Sequence, residues 1–220
     1  MNKFQDLFDE LFEKHGAQGW WPVTPQSCHN DEPKPIYGLI GKTEKQKLEI
    51  IFGAILTQNT SWKNVERAII EMHKHDLMSV DAVLKTPKEM LAKIIKSSGY
   101  YNQKANTLKT VGSFLKEYSI KSLEQMDLIK VRGLLLKISG IGPETADSIL
   151  LYALGKPIFV ADTYTKRLLL KKGWIKETAT YGDIQGLFME NLPPDVALFN
   201  EYHALIVAEN KVKSNKDLSL

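Results

Sequence analysis

From Lys45 almost to its end the chain places apolar residues three and four apart. Leu48, Ile51, Phe52, Ile55 and Leu56 form one stripe, and Val65, Ile69 and Met72 the next. No segment alternates polar and apolar with period two over six residues, so a sheet has no strands to be built from. Phe4, Leu7, Phe8, Leu11 and Phe12 give a further helical face near the start. The spacing predicts more helices at about 79–85, 88–96, 102–118, 121–125, 128–138, 144–154, 163–172, 181–190 and 195–209. Ser79, Thr86-Pro87 and Asp195 read as helix starts. Gly99, Gly155 and Gly173 read as stops. The fold class is therefore all-α, a bundle of roughly ten helices.

Residues 16–43 break this pattern. They carry Pro22, Pro25, Pro33 and Pro35 among Gly, Asn and Ser, which predicts a long irregular connection. With 43% hydrophobic and 25% charged residues, the 220-residue chain has enough apolar material for a sizeable core and is not of disordered type. No apolar run approaches the ~18 residues that would span a bilayer, and the acidic, amphipathic start lacks the basic region of a signal peptide. The expected location is cytoplasmic, with no membrane partner. A net charge of +3 permits nucleic-acid binding without requiring it. The single cysteine, Cys28, excludes an internal disulfide and any four-cysteine zinc or iron–sulfur site within this chain.

The stretch 132–154 is the most informative. A helix with Leu134, Leu135, Leu136 and Ile138 stops at Ser139-Gly140, and a second begins near Pro143. Gly140 and Gly142 bracket Ile141. Glycine permits positive φ and close backbone approach, Pro143 suits the first turn of a helix, and Ile141 can tuck beneath the turn as a core peg. Such a turn aims backbone N–H groups outward, a geometry that suits a phosphate oxygen without reading sequence. The same turn also serves a tight corner between helices with no ligand.

The run Ile138-Ser139-Gly140-Ile141-Gly142-Pro143-Glu144-Thr145-Ala146-Asp147, followed by Val160-Ala161-Asp162-Thr163-Tyr164, resembles the helix-hairpin-helix family of base-excision DNA glycosylases. Gly53-Ala54-Ile55-Leu56-Thr57-Gln58-Asn59-Thr60 and Gly99-Tyr100-Tyr101-Asn102-Gln103-Lys104-Ala105 agree with it, in the right order and spacing. The resemblance covers roughly residues 45–208. It implies a two-domain glycosylase fold with the active-site cleft between the domains. Residues 46–157 would form a helical barrel carrying the hairpin, and 1–45 with 158–220 a second domain made by both termini.

The resemblance makes Asp162 the catalytic carboxylate, set to stabilise positive charge on the sugar and to orient or deprotonate a water. Read from its neighbours alone, Asp162 is a helix N-cap, and both roles are compatible. Relatives that also cleave the DNA chain carry a Schiff-base lysine where this chain has Glu144, so the expected enzyme is monofunctional. Many relatives end in a four-cysteine loop for an iron–sulfur cluster. Here 207–220 holds no cysteine, so no cofactor is expected. Lys211, Lys213 and Lys216 occupy that tail instead. Whether a monovalent cation sits at the hairpin carbonyls stays open, and no other metal is expected.

Trp20-Trp21-Pro22, together with Trp62 after the Leu-Thr-Gln-Asn-Thr run, resembles the third bacterial type of 3-methyladenine DNA glycosylase, in which such aromatics hold the alkylated purine. A methylated purine is cationic and stacks well on electron-rich rings. The implied pocket is Trp20, Trp21, Pro22 and Trp62. The implied DNA contacts are Gln58 and Asn59, one of which fills the gap left by the extruded base, then Tyr100, Asn102 and Lys104, and the hairpin residues Ser139, Gly140, Ile141, Gly142, Glu144 and Thr145. The expected partner is double-stranded DNA with a damaged base, bound by a monomer. His203 reads as an interior residue outside the site, and whether Lys211 reaches the pocket stays open. Two alternatives remain: an endonuclease III-like enzyme for oxidised or mismatched pyrimidines, and a non-catalytic hairpin module that binds DNA.

Overall fold

The computed structural model describes residues 2–26, 33–39 and 42–217, with side chains described as far as Lys211. Cys28 and the side chains of Lys213 and Lys216 lie outside the described residues. The helices are α1 (Lys3–His15), α2 (Glu44–Leu56), α3 (Trp62–Lys74), α4 (Val80–Lys85), α5 (Lys88–Ile94), α6 (Tyr101–Glu117), α7 (Ile120–Gln125), α8 (Leu128–Leu136), α9 (Pro143–Ser148), α10 (Thr163–Lys171), α11 (Tyr181–Asn191) and α12 (Val196–Asp217). The all-α class holds. Among the described residues the only extended pairing is one antiparallel bridge, Val23 to Ile36. No helix among them is long and apolar enough to cross a membrane.

Local chemistry sets the helix ends. Thr43 and Gln46 form a reciprocal capping box at α2, and Thr180 with Asp183 does so at α11. Ser79 accepts from the Ala82 N–H at 3.1 Å, and Asp195 from the Leu198 N–H at 2.7 Å. Gly99, Gly155 and Gly173 all take positive φ, as stops in the left-handed region require.

The chain divides into two compact units. The hairpin unit, Trp21–Gly155, is built around α2, whose Ile50, Ile51, Phe52, Ile55 and Leu56 are all buried. This helix packs on α3, α6 and α9, and on a wide helical turn, Ile149–Ala153, that continues α9. The terminal unit, Met1–Trp20 with Lys156–Leu220, centres on aromatic packing. The rings of Phe159 and Phe188 stack with centroids 3.8 Å apart. The Tyr202 hydroxyl donates to the Phe4 carbonyl at 2.8 Å, fixing α12 to α1.

The division corrects the expected boundaries, 1–45 and 46–157. The described part of segment 21–45 belongs with the hairpin unit. Val23 and Ile36 exchange backbone hydrogen bonds at 3.1 and 3.0 Å. The Thr24 N–H and hydroxyl both donate to Glu49 Oε1 of α2, at 2.8 and 3.1 Å. Glu49 Oε2 in turn lies 2.7 Å from His73 Nε2 of α3. These long-range bonds decide where an otherwise irregular segment goes.

Candidate functional site

In the hairpin unit α8 stops at Leu136, and the Ile141 N–H closes the turn onto the Ile138 carbonyl at 3.0 Å. Ile141 is buried as a peg, while Ser139, Gly140, Gly142 and Glu144 are exposed. The two glycines differ. Gly140 has φ +90°, and a β-carbon there would drive into Thr107 Oγ1 of α6. Gly142 is an extended N-cap at φ −91°, with nothing near its missing side chain. The expectation of positive φ thus applies to Gly140 alone. Pro143 occupies the first turn of α9. A bidentate pair ties the hairpin's two helices together: Arg132 Nε and Nη2 donate to the fully buried Asp147 at 2.7 and 3.1 Å.

Gln58 Nε2 donates to the Gly140 carbonyl and to Thr145 Oγ1, both at 2.9 Å. Its amide N–H groups therefore brace the hairpin. Asn59, at φ 52° and exposed, is the residue that the turn after α2 presents outward. Tyr100 is also left-handed, at φ 47°, and 64% exposed; Asn102 beside it is exposed too. Gln58, Asn59, Tyr100, Ser139 and Gly140 share one surface depression of about 470 Å³.

Lys104 corrects an expectation. It lines the same depression but is only 3% exposed, with its ammonium turned inward onto backbone carbonyls rather than outward to a phosphate. It donates to the Leu56 carbonyl at 2.9 Å and the Ser98 carbonyl at 2.6 Å, pinning the end of α2 to the turn before α6. Burial pulls its pKa from 10.5 down to about 8.

Of the expected pocket residues, Trp21, Pro22 and Trp62 lie in the hairpin unit. Trp21 is buried, perpendicular to Trp62 with centroids 5.6 Å apart, and 5.2 Å from Tyr152, which sequence reasoning missed. Edge-to-face packing leaves no slot for a flat ring between Trp21 and Trp62, so these two do not form a ready sandwich. Pro22 is buried and Trp62 half-buried. A β-carbon on Gly53 would lie 3.1 Å from Trp21 Cζ2, so the glycine in α2 makes room for the indole. Trp20 belongs to the terminal unit. There Lys211 Nζ lies 5.8 Å from its ring centroid, and desolvation lowers the lysine's pKa.

In the terminal unit Asp162 caps α10, its Oδ1 accepting from the Thr165 N–H at 2.8 Å and the Thr165 hydroxyl at 2.9 Å. Its Oδ2 lies 3.4 Å from Nε2 of His203. Burial pushes the carboxyl up, but His203 and the two Thr165 bonds outweigh burial and hold it below the usual carboxylate range. Asp162 is thus both a cap and an ionised carboxylate at neutral pH. His203, set aside in the sequence reading, is a direct neighbour of the candidate catalytic group.

A glycine-bearing hairpin between short helices, with an ionised carboxylate capping the helix that follows, defines a nucleic-acid repair protein of the helix-hairpin-helix class. The chain belongs to the HhH-GPD superfamily of base excision DNA repair proteins, whose pattern matches residues 52–194; it is a DNA glycosylase of that superfamily. It is 40% identical over 218 residues to MJ1434 of Methanocaldococcus jannaschii, a provisionally named DNA repair glycosylase, covering 96% of this chain and 89% of that protein. It is 27% identical over 161 residues to endonuclease III of Thermotoga maritima, covering 70% of this chain and 68% of that one. Among solved structures it resembles the H. pylori 3-methyladenine DNA glycosylase MagIII bound to 1,N6-ethenoadenine. The TM-score is 0.73 at 25% identity, with 97% of this chain and 99% of that one covered.

Proposed function

We propose that this glycosylase is monofunctional and hydrolyses the N-glycosidic bond of an alkylated purine, such as 3-methyladenine, in double-stranded DNA. The observation that carries the reading is that the exposed residue at the position where strand-cleaving relatives hold their amine is Glu144, in a chain that also keeps an ionised Asp162. A carboxylate cannot form a Schiff base with deoxyribose. The likeness to a 3-methyladenine glycosylase along nearly the whole chain supports the substrate class.

As the bond between C1′ and the base nitrogen lengthens, its electron pair moves to the base and positive charge grows on the sugar. The Asp162 carboxylate stabilises that charge. Water then bonds to C1′ and gives its proton to the carboxylate. A 3-methylated adenine begins as a cation and departs neutral, so the leaving group needs little protonation and modest catalysis suffices. The step balances with water as the co-reactant. The hairpin and the Asn59 and Tyr100 turns supply phosphate and groove contacts that are independent of sequence.

The test is incubation with duplexes carrying 3-methyladenine, thymine glycol, uracil or a G·T mismatch, with and without alkali. Release of 3-methyladenine, with strand breaks only after alkali, is the expected result. Strand breaks without alkali, or a covalent complex trapped by borohydride, overturn the monofunctional reading. Release of oxidised or mismatched pyrimidines alone favours endonuclease III-like specificity instead.

A further inference from the structure

The two oxygens of Asp162 do different work. Oδ1 is occupied by the cap, with two donors from Thr165. Oδ2 takes no part in that cap and faces the imidazole of His203, which is 7% exposed and projects from α12. We infer that His203 is a positioning residue for glycosidic hydrolysis, fixing the Asp162 carboxylate so that Oδ2 is the oxygen that meets the sugar and the water. This rests on Asp162 being the catalytic carboxylate.

The cap holds one oxygen, and a half-turn of the carboxylate would only exchange equivalent atoms; a partial twist about the Cβ–Cγ bond would instead swing the uncapped oxygen out of line. The buried ring beside Oδ2 limits that twist. The separation matters as much as the contact. At 3.4 Å the ring is beyond the range of a short charge-assisted bond. The looser approach orients Oδ2 without a short bond to it. In the reaction the water oxygen bonds to C1′, the C1′–N pair leaves with the base, and the water proton passes to Oδ2. His203 makes and breaks no covalent bond.

The test compares wild type with His203→Ala and His203→Gln, the glutamine amide reaching about as far as Nε2. Single-turnover release rate, affinity for a duplex with a tetrahydrofuran abasic analogue, and thermal midpoint are measured on each. The wild type is first assayed on 3-methyladenine, uracil, thymine glycol and G·T duplexes, and variants are compared on the lesion it releases fastest. The expected result is a rate at least ten-fold lower in His203→Ala, with affinity within two-fold of wild type, and recovery to within about three-fold in His203→Gln. A wild-type rate in His203→Ala overturns the inference. So does a His203→Gln variant as slow as His203→Ala, or a loss of rate that only tracks a loss of affinity. Release of a non-alkylated base alone overturns the substrate reading and leaves the His203 comparison standing. No release from any duplex overturns the role of Asp162, and this inference with it.

Discussion

Asp162 holds a helix end and carries a charge at once, and substitution can separate the two. Asparagine caps a helix about as well as aspartate. In Asp162→Asn the Oδ1 bonds to Thr165 persist, so the cap is kept and any stability lost at neutral pH is that of the charge. On the proposed mechanism base release falls by about 10²-fold or more, because the carboxylate charge is gone. Excision assays beside thermal melts of the same variant check both halves. The folded carboxyl lies below its ordinary pKa, so its ionisation adds stability above the usual carboxylate range. That contribution is lost as pH falls through the lower folded value. Asp162 was visible in the sequence as a helix cap because a cap is local. His203 was not, because a histidine on a buried helix face looks alike whether or not a carboxylate comes to meet it. Lys104 failed in the opposite direction. Its motif marked the position correctly, but an amine near a helix start reads as solvated until its acceptors are known, and Leu56 lies 48 positions away.

The hairpin is held from three sides: Gly140 against α6, Gln58 on its carbonyl, and Arg132 on Asp147. Each is separately testable. Gly140→Ala meets a left-handed backbone penalty of about 1–2 kcal/mol and a clash with Thr107 besides, so the melting point and DNA affinity both fall. Trimming the obstacle in Thr107→Ala/Gly140→Ala restores part of the loss. Arg132→Ala removes both charge-assisted bonds from the buried Asp147 and costs about 1.5–3 kcal/mol. Chemical denaturation measures it, and a double-mutant cycle with Asp147→Asn shows coupling above 1 kcal/mol. Most helices were legible because their caps are chemical: Ser79, Asp195 and the glycines at 99, 155 and 173 did what their side chains, or lack of them, dictate. The irregular segment after Trp21 was legible as irregular. Its allegiance was not, since a buried glutamate on α2 decides it.

At the scale of the molecule, stability responds to pH through Lys104. Its folded pKa of about 8 is below its ordinary value, so between about 8 and 10 the unfolded chain binds more protons than the folded one. Stability from this group therefore rises with pH across that window, and the neutral amine can still donate to both carbonyls. The stability of wild type minus that of Lys104→Met is expected to rise from about pH 7 to about pH 9.5 in denaturant titrations. A signed difference that falls over that range contradicts the argument. The division of the chain into two units was expected from the resemblance, while the points at which it divides came from contacts among distant residues.

The boundary between Trp20 and Trp21 gives the protein a built-in optical label for each half. The four tryptophans divide evenly, Trp20 and Trp174 in the terminal unit, Trp21 and Trp62 in the hairpin unit. Replacing either pair with phenylalanine leaves emission from one unit only. Quenching by a cationic base, or a spectral shift on DNA addition, then becomes assignable to one half of the enzyme without any attached dye.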